Sequence, residues 1–182
     1  MVWRPVPLPS VMSEAKAAAE IAARYHDGLY RYAVALTRGN RQEAFGIVQQ
    51  TYLEILEGRA DLLKAENPRA FLFGVARRQA ASRQRRRSIF GRILGLELRD
   101  AAEPSTPGPE SQAAQGEQVA MVRQALNKLP AKQLEAVTLV FMEDMTVEEA
   151  AKIMGVSVGS ARTHYHRAKK RLSKLLEEAN HD

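Results

Sequence analysis

Cysteine is absent from the sequence, so disulfides, thiolate metal sites and a cysteine nucleophile are all excluded. Histidine is scarce: His26, His164, His166 and His181 show no zinc-binding spacing, since 164 and 166 stand two apart on a helical stretch and point different ways. No metal and no other cofactor is expected. Long apolar runs are missing as well. None approaches the ~20 residues needed to span a bilayer, and the opening MVWRPVPLPSVMSEAK lacks the apolar core of a signal peptide. A cytoplasmic protein without membrane insertion is the expectation. No useful stretch alternates apolar and polar residues with period two, and no internal repeat occurs, which leaves an all-α fold. Catalytic constellations are missing too, with neither a G-x-x-x-x-G-K-[ST] phosphate loop nor an H-E-x-x-H pair. The paired acids Glu143/Asp144 and Glu148/Glu149 offer carboxylates, but the second pair lies in the first turn of a helix, where it complements the macrodipole. No enzymatic activity and no catalytic residue are assigned.

Positive charge is in surplus. Lys and Arg number 27 against 21 acids, a formal charge of +6, which favours an anionic partner: nucleic acid first, an acidic protein or membrane surface second. With 182 residues, 45% of them hydrophobic, the chain suffices for one domain or two small ones.

Pro5, Pro7 and Pro9 make the first residues an extended tail, taken as 1–12. Ser13 is a candidate cap for a helix running to about Arg38 with Leu29, Tyr32, Ala33 and Leu36 inward and Gly28 as a weak point that can split it. Gly39 ends that helix, and Asn40 with Glu43 opens the next, which buries Ala44, Ile47, Val48, Thr51 or Tyr52, and Ile55. After Gly58 and a loop, Asn67-Pro68 starts a third helix with Phe71, Leu72, Val75 and Ala76 inward. This helix then becomes cationic, with seven arginines and no acid from Arg77 to Arg92, uncompensated unless solvated or paired with phosphate. Residues 93–117 change character: five acids, one arginine and a scatter of Pro and Gly read as a flexible linker between domains at 13–92 and 118–182. Beyond it, Val119, Val122, Leu126 and Leu129 define a helix, and Pro130 opens another with Leu134, Val137, Val140 and Phe141 inside.

The stretch from Thr146 to Leu176 reads as a helix-turn-helix. Thr146 and Glu149 form a capping box; Val147, Ala150, Ala151 and Met154 share a face; Gly155-Val156-Ser157 is the turn. Ser157 caps a second helix whose buried stripe is Val158, Ala161, Tyr165, Ala168, Leu172 and Leu175. The opposite face carries Thr163, His166, Arg167, Lys170 and Lys174, flanked by Arg162, and residues 160–176 hold six Lys or Arg without an acid. Such a helix can neutralise phosphates while its first turns reach base edges in a major groove. Two cationic helices whose apolar stripes are needed for a core argue for nucleic acid over a membrane surface.

The order of these parts resembles the extracytoplasmic-function sigma factors of bacterial RNA polymerase, built from a region 2 domain, a flexible linker and a region 4 domain. In region 4 the resemblance rests on Leu129-Pro130, EAVTLVFMED, TVEEAAKIM, Gly155-Val156-Ser157-Val158-Gly159 and SARTHYHRAKKRL; in region 2 it rests on LYRYAVALTRGNRQEA, VQQTYLEIL and NPRAFLFGVARRQAASRQRRR. It implies a subunit that binds core RNA polymerase through the clamp of the beta-prime subunit and the beta flap. Such a subunit directs the polymerase to promoter DNA and helps open the duplex, and an anti-sigma factor is an implied partner. By position, Ser160, Arg162, Thr163, His166 and Arg167 would meet the upstream promoter element, with Lys170 and Arg171 holding phosphates. The downstream element would fall to Arg59, Asp61, Lys64, Phe71, Arg77, Arg78, Ser82, Arg85 and Arg86, by stacking on bases and tracking the single strand. Where the family carries acids like D-A-E-D-L-V-Q-E in its second helix, this chain reads Glu43-Ala44-Phe45-Gly46-Ile47-Val48-Gln49-Gln50. Clamp binding would thus lean on Phe45, Gln49, Gln50 and Tyr52. Arg78 and Ser82 replace a common asparagine and a usual aspartate, which bears on downstream base preference. Two other readings compete: a free-standing helix-turn-helix regulator, for which the arginine helix has no use, and a sigma mimic that sequesters an anti-sigma factor, which the intact basic recognition helix opposes.

Overall fold

A computed structural model describes residues 8–57, 61–93 and 113–179, and among them every regular element is helical. The first is α1, Leu8–Leu36, which begins before the candidate cap Ser13 and runs through Gly28 unbroken. Pro9 sits in its first turn, where a missing N–H costs no hydrogen bond, so the helix begins inside the stretch read as an extended tail; residues 1–7 lie outside the described residues. Gly28 is not a break because its missing side chain is used for packing, as described below. Arg38 (φ 55°) and Gly39 (φ 91°) then take left-handed conformations in succession and turn the chain into α2, Arg41–Leu56. Asn40 caps α2 by accepting the Glu43 N–H at 2.9 Å. At the disputed position on α2 it is Thr51 that is buried, donating its hydroxyl to Ile47 O at 2.8 Å, while Tyr52 is half-buried.

Asn67 Oδ1 accepts the Ala70 N–H at 3.0 Å and opens α3, Pro68–Ile93, with proline in the first position as its missing donor permits. Helices α1, α2 and α3 enclose Leu29, Tyr32, Ala33, Ala44, Ile47, Val48, Leu72, Phe73 and Ala76, and Leu62 closes this core from the loop before α3. Phe73, which the inward stripe read from the sequence left out, is fully buried with its ring 5.3 Å from that of Tyr32.

The second half holds α4, Ala113–Asn127; α5, Ala131–Val137; a π-helical turn, Thr138–Met142; α6, Val147–Met154; and α7, Val158–Ala179. Helix α4 thus begins inside the stretch read as linker. Four positions read as buried are exposed. Val119 and Val122 are 56% and 44% exposed, because among the described side chains of α4 the first buried one is Ala125. Phe141 is 69% exposed, because the turn from Thr138 adds a residue per turn, with Glu143 N–H bonded to Thr138 O at 3.0 Å, and rotates the face. Val158, 38% exposed, lies at the very start of α7. A small core of Leu129, Leu134, Val137 and Ala168 joins α4, α5 and α7. The larger core is shared between the halves: Leu139, Met145, Ala150, Ala151, Ile153, Met154 and Ala161 belong to the same cluster as Leu29 and Phe73. The two halves are therefore docked directly on each other, α6 against α3 and α5 against α1.

Candidate nucleic-acid interface

The helix-turn-helix is built by local chemistry. Thr146 Oγ1 accepts the Glu149 N–H at 3.1 Å while Glu149 Oε2 accepts the Thr146 N–H at 2.9 Å, so the capping box closes in both directions. The backbone N–H of Thr146 is the main reason the Glu149 carboxyl is held below its usual range; burial opposes it, and the Thr146 hydroxyl, Asn67 and Arg69 assist. Gly155 takes the left-handed conformation (φ 61°, ψ 44°) that ends α6, and Ser157 Oγ accepts the Ser160 N–H at 3.2 Å to start α7. The letters of Gly155-Val156-Ser157-Val158-Gly159 also spell G-x-S-x-G, but a nucleophile elbow joins a strand to a helix. Here the run joins two helices, and the serine is spent on the cap.

Helix α7 is held by fully buried Ala161 and Ala168, with Tyr165 and Leu172 partly covered. Its opposite face is open: Arg162, Thr163, His166, Arg167, Lys170, Arg171 and Lys174 are all exposed. The Thr163 hydroxyl donates back to Gly159 O at 2.9 Å, and Ser160 accepts the Ser157 hydroxyl at 2.9 Å, so Ser160 belongs to the cap as much as to the reading face. Arg162 lies 3.8 Å from Glu148 with both side chains 60% exposed, a contact too solvated to compete with a phosphate.

The arginine stretch divides into two sets. Arg78, Ser82 and Arg85 recur at helical spacing along one face of α3 with Arg86 on its flank; the three arginines are exposed and Ser82 is half-buried. Three others have partners, which corrects the expectation that all seven are uncompensated. Arg77 Nε meets Glu135 Oε1 at 2.6 Å, Arg83 donates to Gly46 O at 2.7 Å, and Arg87 meets Glu43 at 2.9 Å. Gly46 explains the crossing of Arg83 to α2: a Cβ there would lie 2.8 Å from its guanidinium. Phe71 is half-buried at the start of α3. In the preceding loop Asp61 and Lys64 pair at 2.6 Å, and the Lys64 hydrogen bond is the main cause that lowers the Asp61 carboxyl below its ordinary value. Arg59 lies outside the described residues, and so does Arg92 as a side chain.

Of the residues assigned to polymerase docking, Phe45 is 53% exposed, Gln49 is exposed and Gln50 half-buried. Tyr52 turns the other way, its hydroxyl donating to Ala22 O at 3.3 Å with His26 Nδ1 at 3.0 Å. Leu53 and Leu56 instead extend the exposed apolar line begun by Phe45, a signal carried by the spacing 45, 49, 53, 56. No group of three or more acids or histidines among the described residues is placed to hold a metal, and no described helix is long and apolar enough to cross a membrane.

These surfaces coincide with two matched families: sigma-70 region 2 over residues 21–89 and sigma-70 region 4 over 120–172. The chain is 34% identical over 150 residues to the ECF RNA polymerase sigma factor EcfG of Rhodopseudomonas palustris, covering 81% of this chain and 78% of that protein. It is 30% identical over 161 residues to the sigma factor CnrH of Cupriavidus metallidurans, covering 81% and 83%. Among solved structures, the sigma factor RpoE in complex with the anti-sigma factor NepR from Bartonella quintana superposes with a TM-score of 0.69 at 26% identity, over 89% of this chain and 98% of that one.

Proposed function

The chain belongs to the extracytoplasmic-function sigma factors of the sigma-70 family, and from that premise we propose how its surfaces divide the work of an RNA polymerase sigma factor at a promoter. Helix α7 enters the major groove at the upstream element. Arg162, Thr163, His166 and Arg167 read base edges, and Lys170 and Arg171 hold phosphates. The downstream element is taken by the 61–67 loop, Phe71, Arg77 and the Arg78–Ser82–Arg85 face, where guanidinium planes and an aromatic ring stack on bases of the opened strand. Trapping an extruded base offsets the few kcal/mol of unstacking, so opening draws on binding alone and the chain itself needs no catalytic residue. The clamp of core polymerase docks on the Phe45–Gln49 line of α2, an apolar and neutral contact. An anti-sigma factor is the natural inhibitor, as the similar RpoE of Bartonella quintana is bound by the anti-sigma factor NepR.

One observation carries this reading: the face of α7 between Arg162 and Lys174 is exposed and bears no acid, while the cap and turn that position it are complete. The direct test adds purified protein to core polymerase and measures transcription from genomic fragments. Promoter-dependent transcripts are expected; absence of both transcripts and core binding would sink the reading.

A further inference from the structure

Three cations of the first half, Arg31, Arg69 and Arg77, are already paired with acids of the second. Glu135 on α5 is 6% exposed and accepts the Tyr32 hydroxyl at 2.9 Å and Arg77 Nε at 2.6 Å, both from the first half, along with Lys132 Nζ at 3.0 Å from its own helix. Glu143, at the end of the π-helical turn, is 4% exposed and meets Arg31 Nε at 2.9 Å and Arg69 at 3.5 Å, while its backbone carbonyl also accepts from Arg69. Its seat is made by Gly28, where a Cβ would fall 2.2 Å from Glu143 Oε2. Asn67, the cap of α3, donates to Glu149 Oε1 at 2.6 Å.

We propose that this conformation is a closed state latched by Glu135 and Glu143, in which the carboxylates of the second half stand where strand phosphates would bind the first. Asn67 caps α3, Arg69 and Arg77 lie two turns apart on the side of α3 that meets the second half, and Glu149, Glu143 and Glu135 of that half engage them, although Arg69 Nε itself has no hydrogen-bond partner. The recognition face of α7 takes no part in this contact and stays exposed. The closed chain therefore offers its upstream-reading surface and withholds part of its strand-capturing one. The chemistry suits a reversible latch. Buried ion pairs give back in desolvation much of what they gain in attraction, so they specify the docked geometry without making it permanent. A phosphate-bearing strand can replace each carboxylate with an equivalent oxygen acceptor. The functional half of this inference rests on the strand-binding role assigned above; the latch itself is testable without polymerase or promoter.

The absence of cysteine makes the test clean. Spin labels on A19C and S173C, at exposed positions of α1 and α7, report the distance between the halves in the full chain by pulsed electron resonance. A single narrow distribution is expected. In E135Q/E143Q, checked for native helicity by circular dichroism, the ratio of open to closed molecules should rise about tenfold or more, with longer distances appearing. Binding of a random pool of single strands of about 12 nucleotides should tighten in parallel. If the double variant fails to fold, E143Q alone, which keeps Glu135 and its three donors, carries the same measurement. A broad distribution in the unsubstituted protein, or a narrow one persisting in a folded variant, overturns the latch. Longer distances without any gain in strand binding overturn the withholding of the strand surface. Failure of promoter-dependent transcription would strike the function proposed above and leave the distances unchanged.

Discussion

Gly28→Ala sets two effects of opposite sign against each other. Inside a helix, alanine is favoured over glycine by about 1 kcal/mol, so propensity alone says that the variant is more stable. Position 28 is buried within α1, however, and the new methyl would lie 2.2 Å from Glu143 Oε2, 3.1 Å from its Cδ and 3.4 Å from the Phe73 ring. The carboxylate ends a flexible side chain, so the backbone need not move. What is lost is its pairing with Arg31 and Arg69 in a place where it is 4% exposed. Breaking a buried pair costs about 3–5 kcal/mol, and the lower end applies because Arg31 is itself about half exposed. The net expectation is a loss of about 1–3 kcal/mol. Gly74→Ala is the control: it is also helical, nothing lies within 4 Å of its built Cβ, and it should gain up to about 1 kcal/mol. Urea midpoints followed by helical circular dichroism decide between them. In a Glu143→Ala background the clash disappears, and Gly28→Ala should change sign and become stabilising. If Gly28→Ala stabilises the unsubstituted protein as much as Gly74→Ala does, Gly28 is not the seat of Glu143.

Other expectations follow from the same contacts. Arg167→Ala should weaken upstream-element binding by about 1–3 kcal/mol and relax base preference, whereas Lys170→Ala should weaken it uniformly and lower the salt slope; equal losses on every sequence, read by fluorescence anisotropy, would refute the base-reading assignment. Tyr32 is buried, and burial first, then the charge and hydrogen bond of Glu135, push its hydroxyl well above the ordinary value, with Arg77 opposing, so it stays a donor throughout the physiological range. Tyr32→Phe should therefore lower stability by about 1.5–3 kcal/mol in urea melts, and a change below measurement error would mean that the bond to Glu135 has no net value. The lowered Glu149 carboxyl contributes stability above its unfolded value near 4.5 that is lost as pH falls through the lower folded value; Glu149→Gln keeps a capping side chain without titrating, so its thermal melts should fall less steeply with acid than those of the unsubstituted protein.

What was legible in the sequence was local. The Thr146–Glu149 box, the Gly155 turn, the Asn40 and Asn67 caps and the buried stripe of α2 are set by residues within four positions of each other, and the structure contains each of them. Phe141 was misread because a π-helical turn violates the 3.6-residue period on which the reading depends, and nothing in TLVFM announces it. Leu53 and Leu56 were overlooked although their spacing from Phe45 was visible.

The contacts that escaped sequence reading are those whose partners are far apart in the chain. Tyr32 and Glu135 are separated by 103 positions and Arg31 and Glu143 by 112, so no window of sequence holds both members. This distance changes the meaning of the arginine helix. Arginines without a local acid looked like charges waiting for phosphate, yet α3 satisfies Arg83 and Arg87 on α2 and Arg77 on α5, leaving Arg78, Arg85 and Arg86 outward. The outward three have no acceptor among the described residues, whereas Arg77 already has one and must exchange it to bind a phosphate. The same cation that holds the halves together is thus one that an opened strand would claim, and strand capture and domain separation become a single coupled equilibrium.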